Sequence, residues 1–257
     1  MVFYFTGTGN SLYVARELDG QTVSIPQAIR KDDLTFSADK IGIVCPIYGH
    51  EMPAMVKEFI RRATFQTEYF YVVLTYGNMH GGAAEIADKV LKDAGITADY
   101  ITTVLMVDNF LPAFDMNKQT QLDKQVEKQI VSIRSDISQR RRGIQKASFK
   151  DRITHKMYLK MVKNQPETVW AAYRVSDECI ACGICANICP GGCIRLENGK
   201  AVHHLENCQA CMACVHACPK LAIQFTIKEV NPQARYRNPH ISLEELIAAN
   251  GQAENRP

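Results

Sequence analysis

The sequence predicts an α/β protein with an open, five-stranded, doubly wound parallel sheet, followed by a small α+β unit that is internally duplicated. Three observations carry this. Short apolar runs alternate with helix-period segments over the first 142 residues, as an open parallel sheet requires. A glycine loop joins the first run to the first helix. Between Cys179 and Pro219, eight cysteines fall into two copies of one pattern. A length of 257 residues, a formal charge of +3 and 46% hydrophobic residues describe an ordinary globular chain of one or two domains. No apolar run is long enough to span a bilayer, and the first strand begins at Val2, so the cytoplasm is the expected compartment.

Taken in order, Met1-Val2-Phe3-Tyr4-Phe5 is a buried strand, Thr6-Gly7-Thr8-Gly9-Asn10-Ser11 a glycine loop, and Leu12, Val14, Ala15 and Leu18 the inner face of a helix starting near Ser11. Such a loop feeding a helix N-terminus offers backbone N–H groups and the helix dipole to an anion; without a ligand it is a hydroxyl-rich helix cap. Ile41 to Pro46 is a strand, and Pro53 opens a helix carrying Met55, Val56, Phe59 and Ile60. Tyr69 to Thr75 is a strand before a helix with Ile86, Val90 and Leu91, and Tyr100 to Val107 is the last strand. Leu122, Val126, Ile130, Ile133 and Ile137, at steps of three and four, predict a long final helix. Cys45 ends its strand with no cysteine nearby in sequence and reads as a buried residue.

The dinucleotide fingerprint requires a third glycine where this chain has Leu12, and the Gly-Lys pair of a P-loop is absent. What the loop resembles is the phosphate loop of the flavodoxins. That resemblance implies a flavodoxin-like strand order, 2-1-3-4-5, with the ligand at the carboxyl ends of the strands. It also implies an FMN 5′-phosphate held by Thr6, Thr8, Asn10 and Ser11 and by the backbone of Gly7 and Gly9. Two further loops, Pro46-Ile47-Tyr48-Gly49-His50 and Thr75-Tyr76-Gly77-Asn78-Met79-His80-Gly81-Gly82, are equivalent to those that sandwich the isoalloxazine. Tyr48 and Tyr76 are the candidate stacking residues, with core or surface tyrosine as the alternative. His50 and His80 read as exposed polar residues, because no orienting carboxylate stands near them in sequence. Asp108-Asn109-Phe110-Leu111-Pro112 is a third loop in reach of the flavin edge.

The cysteines form Cys179-x2-Cys182-x2-Cys185-x3-Cys189-Pro190 and Cys208-x2-Cys211-x2-Cys214-x3-Cys218-Pro219, each position of the second copy 29 residues after the first. A constant offset marks a duplication. A cubane cluster needs four converging thiolates, of which a tight loop presents three, and the proline ends the helical turn. Zinc is the alternative for CxxC pairs, and tandem runs of this length are far from the usual zinc spacings. A disulfide framework is disfavoured in a chain of this size without a secretory signal. Residues 173–228 resemble the bacterial two-cluster ferredoxins, in which the last cysteine of each run ligates the other cluster. The resemblance assigns Cys179, Cys182, Cys185 and Cys218 to one [4Fe-4S] centre, and Cys208, Cys211, Cys214 and Cys189 to the other. Cys193, a ninth cysteine, coincides with Ala222 under the same offset; it reads as a small buried side chain, with an alternative ligand or a reactive thiol as the functional option.

From Arg134 to Lys163 the chain carries ten Lys or Arg against two Asp. Phe149, Ile153, Met157 and Met161 recur every four residues, predicting a basic amphipathic helix. Its stripe packs on one of the domains, or it docks an acidic redox partner, or it is weakly drawn to an anionic membrane surface. No recognised module and no interleaved stacking aromatics point to nucleic acid. Asn231 to His240 reads as an extended arm, and Ser242-x-x-Glu245 caps a short helix.

The whole chain resembles the flavodoxin-ferredoxin fusion proteins of anaerobic bacteria and archaea. The implied segments are a flavodoxin-like FMN-binding domain at 1–142, a basic helical linker at 143–172, a 2[4Fe-4S] ferredoxin-like domain at 173–228, and an arm with a short helix at 229–257. The expected function is an electron carrier linking one- and two-electron reactions between a low-potential protein donor and an acceptor. An FMN-dependent reductase with Tyr48, Tyr76, His50 and His80 around its substrate is the alternative, and a redox sensor or assembly factor a third.

Overall fold

The computed structural model describes residues 1–163 and 172–251. They fall into two compact units. The first comprises Met1–Phe5, Asn10–Met106 and 123–163; the second comprises Thr6–Gly9, Val107–Leu122 and 172–251.

In the first unit, β1 (Val2–Tyr4) leads to α1 (Asn10–Leu18), followed by β2 (Thr22–Ser24), α2 (Ile25–Ala28), β3 (Thr35–Ser37) and β4 (Lys40–Pro46). After these come α3 (Ala54–Arg62), β5 (Thr64–Gln66), β6 (Tyr69–Tyr76), α4 (Ala83–Asp93) and β7 (Tyr100–Leu105). A short α5 (Met116–Gln119) belongs to the second unit, and the chain returns through α6 (Val126–Ser138), β8 (Gly143–Ile144) and α7 (Phe149–Val162). One parallel sheet orders its strands β2-β1-β4-β6-β7-β8. Ile41, Ile43, Val44 and Cys45, and Tyr69 through Leu74, are buried without alternation, so both faces of the sheet are covered, as the continuous apolar runs required. Each such side chain is worth about 1.5–3 kcal/mol when fully buried.

The sheet has six strands rather than five. Gly143-Ile144 pairs in parallel with β7, and just beyond it the Gln145 amide oxygen accepts from Thr102 Oγ1, Thr103 N and Thr103 Oγ1 at 2.9–3.1 Å. The strand follows three arginines, so it carries no apolar signal. β3 and β5 form a separate parallel ribbon whose Phe36 and Phe65 rings lie 4.6 and 5.7 Å from Phe3. The final helix starts at Val126; Leu122 is exposed and outside it. The expected linker contains β8 and α7, both in the first unit, and its residues 164–171 lie outside the described residues.

The second unit is built from two copies of strand, cysteine loop, helix and strand. The first copy runs through β9 (Tyr173–Val175), α8 (Ile184–Ile188) and β10 (Ile194–Glu197); the second runs through β11 (Lys200–His203), α9 (Ala213–Ala217) and β12 (Ile223–Phe225). β10 pairs with β11 and β12 with β9, both antiparallel. α10 (Leu243–Asn250) closes the unit with the Ser242 and Glu245 capping box. The units interleave along the chain where the sequence suggested contiguous domains. The reason is burial: Leu111 and Met116 join Val215, Ile223, Phe225 and Tyr236 in the core of the second unit.

Candidate functional site

The cysteine duplication extends to the backbone. Ala181 and Ala210 both take positive φ, 52° and 49°, as do Gly183 and Met212, 78° and 60°, and Gly192 and Leu221, 65° and 51°; each pair is 29 residues apart. Non-glycine residues hold such conformations only where their surroundings over-determine them. Both short helices end at the fourth cysteine, where Cys189 and Cys218 turn extended with ψ 115° and 114°.

Those loops bring Cys179, Cys182, Cys185 and Cys218 to the wall of one cavity, with Leu196, Ala201 and Ile223 as apolar lining. Three thiols come from the first copy and one from the second. Burial, and then Cys182, Cys218 and Cys179 as neighbours, push the Cys185 thiol up to about 12. Burial also raises Cys211 and Cys214, and after burial the largest contribution to each comes from Cys189 of the other copy, Cys208 adding to it. Thiols so crowded in an apolar wall would ionise together only beside strong positive charge, which iron would supply. Backbone N–H groups also reach the sulfurs: Ala222 donates to Cys218 Sγ and Cys193 to Cys189 Sγ, both at 3.2 Å, and Ala201 to Cys179 Sγ at 3.5 Å. The donor set fits iron-sulfur clusters, whose potentials such bonds tune. Cys182 is exposed while Cys185, Cys189, Cys211 and Cys214 are buried.

Cys193 is buried, its thiol donating to the Glu206 carbonyl at 3.1 Å. It lies beside two members of the second group, and its proximity is the leading cause that lowers Cys189 and Cys208 from the ordinary thiol value, His203 adding to the latter. Its counterpart Ala222 is equally buried.

Residues 178–222 match the family described as the 4Fe-4S dicluster domain. This part of the chain is therefore an iron-sulfur electron-transfer unit, holding at least one 4Fe-4S cluster. No curated protein matches the chain. Among the described residues no helix is long and apolar enough to cross a membrane.

The glycine loop is the second candidate region. Thr6 Oγ1 accepts from Gly9 N at 3.1 Å and Thr8 Oγ1 from Asn109 Nδ2 at 2.6 Å. A hydroxyl that accepts in this way keeps its own proton to donate. The Thr6 and Thr8 carbonyls are turned to the C-terminal arm, accepting from Asn250 Nδ2 at 3.1 Å and Asn238 N at 2.8 Å. Gly9 has φ +102°, and a Cβ there would stand 3.0 Å from the Asn238 Cβ and 3.1 Å from that of Ile241. Sequence alone gave no reason to bring residues 238–250 to this loop. In the first unit, Ser11 Oγ and Thr75 Oγ1 are 2.8 Å apart. Hydroxyl protons in this loop, with two carbonyls turned to the arm, fit an anion such as a phosphate.

The two remaining loops follow β4 and β6, and α7 lies against both. Tyr48 is half-buried, edge-on to Phe5 at 6.5 Å; Tyr76 is half-buried, edge-on to His80 at 5.1 Å. His50, expected to be exposed, is buried at positive φ, with its Nδ1 3.2 Å from His155 Nδ1 and its ring 4.9 Å from Tyr158. His80 accepts from Gly82 N at Nδ1, 3.2 Å, so its proton sits on Nε2, 3.6 Å from Asp151 Oδ1. The orienting carboxylate missing from the local sequence is thus supplied by α7. Asp151 is also the α7 capping-box residue, and its carboxyl lies below the ordinary range: burial opposes this, while Ser148, His80 and His50 outweigh it. Cys45 is fully buried, its thiol raised by burial.

Proposed function

We propose that this protein is a flavo-iron-sulfur electron carrier of the flavodoxin-ferredoxin fusion type, passing low-potential electrons between two [4Fe-4S] clusters and FMN. The observation that carries the reading is the crossed grouping of thiols, Cys179, Cys182, Cys185 and Cys218 about one cavity and Cys189 beside Cys208, Cys211 and Cys214. We assign these eight as the ligands of the two clusters. FMN, when bound, exchanges two electrons with one partner and single electrons with another, and each cluster carries one. The strand order β2-β1-β4-β6-β7 supports a flavodoxin-like sheet, with β8 as an added edge. Thr6, Gly7, Thr8, Gly9, Asn10 and Ser11 would hold the phosphate. Pro46, Ile47, Tyr48, Gly49, Thr75, Tyr76, Gly77, Asn78, Gly81 and Gly82 would flank the ring. Exposed Cys182 and Ile180 support a first cluster near the surface, where a protein donor or acceptor would dock.

A second reading, an FMN-dependent reductase, is favoured by one observation: His50, His80, His155, Asp151 and Tyr158 gather at the loops after β4 and β6. These are groups that could hold or move protons for a substrate.

The test is anaerobic reconstitution with iron, sulfide and FMN, followed by gel filtration and visible spectra with NADH, NADPH or dithionite. Retention of one FMN and about eight irons per chain, bleaching with dithionite and none with either nucleotide, supports the carrier. Failure to retain FMN overturns the flavin half. Bleaching by a nucleotide moves the assignment to an oxidoreductase.

A further inference from the structure

Helix α7 is inverted relative to a core helix. Its inward residues are polar: Asp151 faces His80, His155 faces His50, and Tyr158 lies over Gly49, where an added Cβ would collide with its hydroxyl. No residue of the helix is fully buried. Outward stand Phe149, 81% exposed, Met157, 66%, Met161, 56%, and Ile153, 43%. At 100° per residue these four sweep one arc about 18 Å long. Lys150, Lys156 and Lys160, also exposed, interleave with them on that arc. The helix's one acid, Asp151, points the other way, and Arg152 is held aside by Glu85 at 2.9 Å.

We propose that this face is a membrane-surface helix that binds a bilayer containing anionic phospholipid. Large apolar side chains can enter the headgroup boundary while lysine stems on the same face reach to the phosphates, so that buried apolar area and attraction to anionic lipid add. The charge decides against a second copy of this chain, because a two-fold contact along the arc would bring Lys150, Lys156 and Lys160 towards their like. The inner face stays engaged with the first unit, so the helix can bind lipid without leaving it. The proposal does not depend on FMN being bound.

The test is flotation of the full-length, cluster-loaded protein with vesicles of phosphatidylcholine alone or with about a third phosphatidylglycerol. The expected result is binding to the anionic vesicles only, weakened by salt. It should be lost in the Phe149→Ser/Met157→Ser double variant and lowered about fivefold by Lys156→Gln. Since all three side chains are exposed, these variants should keep the visible cluster bands and far-UV CD of the parent. Absence of flotation, equal flotation on neutral vesicles, or flotation that survives the double substitution overturns the proposal. A concentration-dependent dimer that the double substitution abolishes, without flotation, would give the face to a second copy. Binding of polyglutamate that depends on Lys156 but not on Phe149 or Met157, without flotation, would give it to an acidic protein.

Discussion

His216 donates from Nε2 to the carbonyl of Asn109, 2.9 Å away, while its Nδ1 accepts from Tyr236 N at 3.0 Å. The two bonds fix the tautomer, and burial pushes the imidazole down to about 4, so it is neutral at pH 7. Asn109 in turn donates to Thr8 Oγ1. A continuous path of hydrogen bonds therefore runs from α9, between Cys214 and Cys218, to the glycine loop. Both candidate regions share this scaffold within the second unit.

Replacing His216 by Leu should leave the Asn109 carbonyl and the Tyr236 N–H without their bonds, at roughly 1–3 kcal/mol for each group stranded in the interior. His216→Gln, which keeps a donor and an acceptor, should recover part of the loss. Denaturant midpoints measured anaerobically on loaded protein check both. Equal midpoints for the Leu variant and the parent would remove His216 from the scaffold.

Glu229 and Arg235 form a buried ion pair at 2.9 Å, with side chains 3% and 9% exposed. Glu229 Oε1 also accepts from Phe225 N, and Arg235 Nε donates to the Val215 carbonyl. Breaking such a pair strands a charge, at about 3–5 kcal/mol. Glu229→Ala should therefore destabilise the arm more than Lys200→Ala, whose partner Asp177 is fully solvated and whose pairing is worth about 1 kcal/mol or less. Hydrogen exchange at Ala234 and Tyr236 reads the difference.

The sequence made β1, β4, β6, β7, the helices α1, α3, α4 and α6 and the two cysteine copies legible, because each is announced by a local signal: a continuous apolar run, a 3.6 period or a fixed spacing. What stayed illegible depends on residues far apart in the chain. β8 is two residues after three arginines, held by Gln145 against Thr102 and Thr103. His50 read as exposed because nothing nearby could satisfy it, and its partners His155 and Tyr158 lie about a hundred residues on. The docking of Asn238 and Asn250 on the glycine loop had no signal beyond two asparagines in an arm. The apolar stripe of α7 is legible as a period, but which way it faces depends on Asp151 and Tyr158 turning inward.

If the proposed two-cluster assignment holds, the crossed thiol grouping predicts which cluster each cysteine supports. Cys218→Ala should remove the centre that Cys179, Cys182 and Cys185 share, and Cys189→Ala the one shared by Cys208, Cys211 and Cys214. Each should leave about four irons per chain and abolish spin coupling between clusters in the EPR spectrum of reduced protein. Cys193→Ala should leave the iron content unchanged, since Ala222 occupies the matching place beside Cys218. A loss of iron in the Cys193 variant would make it a ligand.

The imidazole cluster predicts a pH dependence in the first unit. His50 is lowered from its ordinary value by burial first, then by His155 and His80, with Asp151 partly opposing; Tyr158 packs against its ring. Between the lowered native value and the ordinary one near 6.5, the unfolded chain binds a proton that the native chain refuses. Stability therefore rises with pH across that window. The contribution is complete above about 6.5 and is lost as the pH falls toward the native value. α7 amides, at the His155 and Tyr158 side of the contact, should lose exchange protection as pH falls from about 7.5 to about 5.5. His50→Asn, which tolerates positive φ and carries no titrating proton, should flatten that dependence; an unchanged slope would remove His50 as its source.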